Sequence, residues 1–235
     1  MADKNIWLSK LKQEGAVSPR QSLAEEAADN LREFILLEKL APGTPIPERD
    51  ISAALGISRT PLREAMRQLV VEGLIEYSST RRPRVADPSL DEIIQYIKVL
   101  AALEALGGGM ACIEASDAEI EKILELNDLM ASNRINDPLE FFRLDMQFHS
   151  LIVEASKNEP LIETHRQYNA RLWRARFISS RRTTGRETTL SEHMAISEAL
   201  KNRDVLKTEA AMKSHLFTTI ENISEAKAKG ETNET

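Results

Sequence analysis

Cysteine is almost missing from this chain of 235 residues: Cys112 stands alone, which excludes an intramolecular disulfide framework and a zinc ribbon. That points to a reducing compartment, and Cys112 itself reads as a small buried residue rather than a nucleophile. Long apolar runs are also lacking. The opening MADKNIWLSKLKQEG has no stretch that resembles a signal-peptide core, and the most apolar region, Val99 to Ile113, is interrupted by Glu104. No membrane partner is expected, and the location expected is cytoplasmic. With 42% hydrophobic and 29% charged residues, the composition is that of a folded protein. At roughly 100 to 200 residues per domain, the length allows one large domain or two modest ones.

The formal net charge is -6, but it is unevenly spread. Between Ser58 and Arg84 there are six arginines against three glutamates, a local +3 that leaves -9 on the remainder. A basic patch on an acidic body is the footprint of a nucleic-acid contact.

Residues 1–20 read as a loosely ordered lead-in, with Trp7 and Leu8 as docking points. Helical spacing of Leu23, Ala27, Leu31, Phe34 and Ile35 predicts a helix from Leu23 to Leu40, closed by Ala41-Pro42-Gly43. A short helix, Glu48 to Leu55, follows Pro47 and stops at Gly56. The next begins after Ser58, an N-cap residue type, with Pro61 in its first turn and Leu62, Ala65, Met66, Leu69 and Val70 on one face. Two β pieces, Leu74–Tyr77 and Arg84–Ala86, flank a basic tip that contains Arg81 and Arg82. Three helices plus this hairpin make a winged helix-turn-helix over residues 21–87, whose third helix enters the major groove. Arg59, Arg63 and Arg67 share one face of that helix. Their planar forks suit guanine O6 and N7, whereas a plain solvated row of ion pairs is the duller reading. Arg81, Arg82 and Arg84 would bring the wing to the DNA backbone or minor groove.

Pro47-Glu48-Arg49-Asp50-Ile51, then Leu55-Gly56-Ile57-Ser58-Arg59-Thr60-Pro61-Leu62-Arg63-Glu64-Ala65-Met66-Arg67-Gln68-Leu69 and Glu72-Gly73-Leu74-Ile75, resemble the winged-helix signature of GntR-type bacterial transcription regulators. The resemblance puts Arg49, Arg59, Thr60 and Arg63 at DNA-contact positions. One departure is visible: where the family's wing usually has glycine, three residues before Val85, this chain has Arg82.

After the linker Asp87-Pro88-Ser89 everything reads as helix, near 90–115, 117–133, 138–156, 159–179, 190–202 and 204–228. An all-helical bundle over residues 90–228 is expected. Asp145 and His149, at i and i+4, point two ligand types toward a common place beside the stripe of Phe141, Leu144, Phe148, Leu151 and Ile152. His193 and His215 lie at the core margins of two other helices. Facing helices of a bundle assemble metal sites, and one carboxylate with three imidazoles suits Zn²⁺, Ni²⁺, Mn²⁺ or Fe²⁺. Each histidine alone has a plainer explanation as a hydrogen-bonded residue beside the core. His165 reads as structural or surface, Met66, Met146 and Met212 as core filler, and Trp173 has no assigned role.

Asp145-Met146-Gln147-Phe148-His149, Glu192-His193-Met194-Ala195-Ile196-Ser197-Glu198-Ala199-Leu200 and Met212-Lys213-Ser214-His215 resemble the FCD effector domain of the FadR subfamily. That resemblance implies a divalent metal on Asp145, His149, His193 and His215, which in turn holds a small carboxylate effector. The arginine often found just before the family's first effector helix is Leu100 here. Arg171 or Arg174 would then have to grip the effector. Gly107-Gly108-Gly109 inside a helix, at about 1 kcal/mol each relative to Ala, calls for close packing or, failing that, cavity space.

The reading is a metabolite-responsive regulator, expected to be a repressor and a homodimer that reads two half-sites of double-stranded operator DNA. Its rivals are a metal-dependent hydrolase using the site of one Asp and three His, and a regulator for which the metal is structural or is itself the signal.

Overall fold

Ser22 opens the helix α1 (Leu23–Leu36) with a capping box: its hydroxyl accepts from the Glu25 amide, and the Glu25 carboxylate accepts from the Ser22 amide. The computed structural model describes residues 22–37, 39–132, 135–180 and 183–228. The lead-in with Trp7 and Leu8, and the polar tail from 229, lie outside the described residues.

α1 ends short of the expected Leu40, although the Leu40 amide still reaches back to the Phe34 carbonyl. Leu31 and Ile35 enter the core as their spacing predicts, but Leu23 and Phe34 are 56% and 47% exposed. Phe34 lies instead under the Lys39 ammonium. α2 (Glu48–Leu55) closes on Gly56 at φ 66, a left-handed cap that glycine adopts without steric cost, and the chain turns into α3 (Arg59–Val71). Ser58 holds the N-cap position but makes no side-chain cap hydrogen bond.

β1 (Ile75–Tyr77) and β2 (Pro83–Val85) pair antiparallel, with Ile75 opposite Val85 and Tyr77 opposite Pro83. β1 starts one residue later than expected and ends where expected, while β2 lies one residue earlier than expected. Leu31, Ile35, Leu62, Met66, Leu69 and Val85, with Ile51 and Leu55 of α2 packed against them, join the three helices and the hairpin in one core, giving a winged helix-turn-helix.

Six helices follow among the described residues: α4 (Leu90–Glu114), α5 (Asp117–Ala131), α6 (Pro138–Glu154), α7 (Glu159–Ser180), α8 (Thr183–Lys201) and α9 (Val205–Ala228). Ser89 and Ser116 start α4 and α5 with capping boxes closed by Glu92 and Glu119. α8 begins at Thr183, well before the expected 190. Gly185 and the threonines around it are weak helix formers, but the first turns are anchored from outside. The Arg186 guanidinium donates to the Ile135 carbonyl at 2.8 Å and lies 4.2 Å over the Phe141 ring.

α4 is the centre of the bundle and packs on α6, α7 and α9. By length and composition alone it passes for a membrane span, more nearly than the interruption at Glu104 suggests; 56% of its most apolar window is buried within the protein, as befits a core helix. Its three glycines permit close approach. A Cβ at Gly107 would lie 3.0 Å from Val153 Cγ2 on α6, and one at Gly108 2.9 Å from Thr208 Cγ2 on α9. Close packing, not cavity space, explains them.

The winged part and the bundle touch. Trp173 and Leu37 pack on Phe142 and Phe177, which gives Trp173 a structural role. Gly73, at φ 71, lies against α7, and a Cβ there would fall 2.6 Å from Arg171 Cγ. Gly73→Ala meets both the left-handed backbone and this contact. It should destabilise by about 1–3 kcal/mol, read as a drop of roughly 2–10 °C in thermal melts; an unchanged melting temperature would show that the contact yields freely.

Candidate nucleic-acid interface and metal centre

Arg49 on α2, Arg59, Thr60, Arg63 and Arg67 on α3, and Arg81 and Arg82 on the hairpin tip are all exposed. None is used to build the core, so the cations are available to an anionic surface. Arg63 Nε lies 2.9 Å from Glu48 Oε2, tying the front of α3 to the front of α2 and fixing the direction of the guanidinium. Arg84 is held differently, 2.5 Å across the hairpin from Glu76 Oε1. At the tip, Arg81 takes the left-handed backbone at φ 57, and the Arg82 amide donates to Ser78 Oγ. Arg82, which stands where the GntR-type wing usually has glycine, is not itself among the positive-φ residues. The departure therefore adds a side chain without demanding a strained backbone.

In the bundle, one ligand atom each from Asp145, His149, His193 and His215 lie within 4.8 Å of one another, and all four residues are buried. α6 supplies the first pair, α8 and α9 the others. His193 Nε2 is 3.3 Å and His149 Nε2 4.0 Å from Asp145 Oδ1. The His149 and His215 rings stack at 4.9 Å, and His193 stacks on Phe148 at 4.4 Å.

Carboxylates behind the cluster orient two of the imidazoles. Glu104 Oε2 lies 2.6 Å from His149 Nδ1, close enough to pair though out of line for a directed hydrogen bond. His215 Nδ1 faces Glu192 Oε2 at 2.7 Å. Each contact occupies the Nδ1 side and leaves Nε2 toward the cluster, the arrangement that backs metal-bound histidines. His193 has no aligned hydrogen-bond partner at either nitrogen. Buried orphans of this kind are costly, which is itself a sign of a missing partner at this place.

Glu104 is fully buried and is also approached by His165 Nε2 at 3.2 Å and Arg176 Nη1 at 3.3 Å. Burial alone would raise its pKa, but His149, His165 and Arg176 hold it well below the usual carboxylate range. Burial pushes His149 down, against the opposing pull of Glu104. It pushes His193 well down, with the neighbouring His215 and His149 adding to the effect. Neutral imidazoles offer a lone pair, the state a metal requires.

Sequence reasoning missed Glu104, Glu192, His165 and Arg176. His165, Asn169, Leu172, Arg176 and Ser179 are all buried on α7 at spacings of four and three, a regular inward face that the spacing of polar residues in the sequence carries. Arg171 and Arg174 are not on it. Arg171 Nη1 meets the Tyr96 hydroxyl at 3.2 Å beside Gly73, and Arg174 is half-buried some 200° around the helix from Arg176, at 100° per residue. The structure does not bring Arg171 to the cluster.

Residues 23–85 match the gntR family of bacterial regulatory proteins, and residues 95–218 match the FCD domain. The chain belongs to the GntR family and carries an FCD domain. Two relatives are similar over most of their lengths. The HTH-type transcriptional repressor RspR of Escherichia coli K12 is 28% identical over 206 residues, covering 86% of this chain and 90% of the relative. The HTH-type transcriptional repressor NanR of Cronobacter sakazakii is 27% identical over 232 residues, covering 88% and 89%. Among solved structures, E. coli McbR/YncC has the same fold, with a TM-score of 0.74 at 17% identity over 88% of this chain and 99% of that one. As a GntR-family protein this chain is a DNA-binding transcription regulator and not an enzyme, which removes the hydrolase reading of the aspartate and histidines.

Proposed function

We propose that this GntR-family chain is a cytoplasmic homodimeric repressor whose FCD domain holds a divalent metal and a small carboxylate effector that changes operator affinity. The convergence of Asp145, His149, His193 and His215 carries this reading: four buried ligand atoms within 4.8 Å, with carboxylates set behind two of the imidazoles. Three nitrogens and one oxygen of this kind suit Zn²⁺, Ni²⁺, Mn²⁺ or Fe²⁺. When bound, the metal supplies an electrophilic grip on a carboxylate.

Arg49, Arg59, Thr60 and Arg63 are assigned to the major groove, and Arg81 and Arg82 to the wing contact. Residues 21–87 form the reading domain, 90–228 the sensing and pairing domain, and 87–89 the hinge. Support for pairing comes from α4, where Val99, Leu106 and Ile113 recur every seven residues and are 42%, 49% and 69% exposed. Leu206 on α9, 77% exposed, lies beside Leu106 and extends this apolar face. Two copies joined about a two-fold axis would present two α3 helices to a palindromic operator. Effector changes operator affinity only by preferring one arrangement of the reading domains over another.

The test loads the full chain with each metal, measures metal content and mass in solution, and follows binding to operator fragments selected from genomic DNA. The expected result is one metal per chain, a dimer, and salt-sensitive specific binding that a carboxylate alters only in metal-loaded protein. Metal stoichiometry without any carboxylate effect on operator binding would leave the metal as a structural group or as the signal.

A further inference from the structure

The winged part and the bundle do not meet flush. Between them lies a cleft of about 430 Å³, on the size scale of sites that hold small molecules. Arg32 of α1, with Glu72 and Leu74 beside the turn from α3 to β1, forms one wall, and α6 and α7 form the other. On α7 the lining residues Arg166, Asn169, Ala170 and Trp173 recur at spacings of three and four, so the helix turns one continuous stripe to the cleft. None of Asp145, His149, His193 and His215 lines it.

The polar groups of the cleft are unevenly matched. Arg32 donates from Nε and Nη2 to the two Glu72 oxygens at 2.9 and 2.7 Å and from Nη1 to Asp29, so its fork is already occupied. Asn169, 6% exposed, accepts at Oδ1 from Arg176 Nη1 at 2.8 Å, which leaves its amide N–H groups as donors. Arg166 is exposed and has no ion-pair partner among the described residues. With Arg32 and Glu72 cancelling, the charge the cleft offers a guest is that of Arg166. The rest of the lining is largely apolar: Leu74, Met146 and Ala170 surround the Trp173 indole, which the Phe142 ring holds at 5.6 Å between centroids.

We infer that this cleft is a ligand site separate from the metal centre, and that it takes a small aromatic monocarboxylate. The ring lies among Trp173, Met146 and Leu74, and the carboxylate accepts from the Arg166 guanidinium and the Asn169 amide. A second negative charge on the ligand would meet only Arg32, which Glu72 and Asp29 already satisfy, so one charge is preferred to two. Because one wall belongs to the winged part and the other to the bundle, the bound acid bridges them and favours this arrangement of the two.

The test is calorimetric titration of the full chain, with and without chelator, using 2-naphthoate and indole-3-acetate, their primary amides, and cyclohexanecarboxylate, which lacks the aromatic ring. Wild type is expected to bind both aromatic acids equally well in the two conditions, about 5- to 10-fold tighter than the amides or the saturated acid, with the preference over the amides shrinking as salt is added. R166Q should bind acid and amide alike. S150W, which places a bulky side chain in the cleft from the half-buried Ser150 of α6, should lose about tenfold or more for both. Acid binding that requires metal, or that survives S150W unchanged, would put the site elsewhere and overturn the inference without touching the metal reading. It is equally overturned if wild type binds none of the aromatic acids, or if R166Q keeps the full preference for acid over amide. Should either variant fail to fold, the salt-sensitive preference of chelated wild type for acid over amide decides, and its absence overturns the inference.

Discussion

Arg63→Ala should weaken specific operator binding by about 1–3 kcal/mol, roughly 5- to 150-fold, with thermal stability nearly unchanged. Arg59→Ala should do the same to a smaller extent, because the two arginines stand differently. Arg63 is both exposed and paired to Glu48 at 2.9 Å, so its removal leaves a carboxylate facing the DNA as well as a missing fork. Arg59 has no carboxylate partner among the described residues, and in the first turn of α3 it opposes the helix dipole, so an anionic surface is what favours its position. The double change Arg63→Ala with Glu48→Ala should recover part of the loss. Anisotropy titrations with operator and with scrambled DNA, at several salt concentrations, separate base reading from phosphate attraction. Equal losses on both DNAs would demote Arg63 to a backbone contact, and no loss on either would remove α3 from the groove.

Replacing His193 should reverse the order of stability according to whether metal is present. Both its nitrogens are buried without aligned partners, so the metal-free fold bears a cost of about 1–3 kcal/mol for each unsatisfied group. Phenylalanine in its place would extend the stack on Phe148, now at 4.4 Å, and remove that cost. Metal-free His193→Phe is therefore expected to melt above metal-free wild type. On adding metal, wild type should gain and overtake it, since a ligand bound only by the native state stabilises in proportion to the logarithm of its concentration over Kd. The variant should gain little: losing a ligand costs at least the roughly 10- to 100-fold that loss of an outer partner costs. Melts with and without chelator, together with elemental analysis, read both halves. A His193→Phe protein that binds metal as wild type does would place the ligand set elsewhere.

How much of this was legible before the fold was known depended on whether the signal was local. The recognition helix was, because capping-type residues, the Gly56 turn and the apolar spacing of Leu62, Ala65, Met66 and Leu69 all act within a few residues. The i, i+4 relation of Asp145 to His149 was visible for the same reason, while His193 and His215 needed the resemblance to bring them alongside. Glu104 was not legible as a partner of His149, since in sequence it only interrupts an apolar run; its function depends on α4 crossing α6, a tertiary fact. Arg176 is not distinguishable in sequence from Arg171 and Arg174, because three arginines within six residues look alike until the helix face is fixed by packing. The buried row from His165 to Ser179 fixes it. The early start of α8 was hidden by Gly185, since the Ile135 carbonyl and the Phe141 ring that anchor Arg186 lie far away in the chain.

α7 is one unbroken helix, with Arg171 pressed on Gly73 and Arg176 facing a narrow cavity about 7.5 Å further along at 1.5 Å per residue. Such a segment behaves as a stiff rod rather than a string of independent contacts. Both residues lie in the C-terminal half of the rod, about 140° apart around it, so a guest that displaced α7 at Arg176, beside the narrow cavity lined also by Glu192 and His215, would carry Arg171 toward the turn between recognition helix and hairpin. On the function proposed above, sensor and reader would share a lever, and the distance between paired recognition helices, and with it the half-site spacing tolerated, would report what fills a space near the histidines.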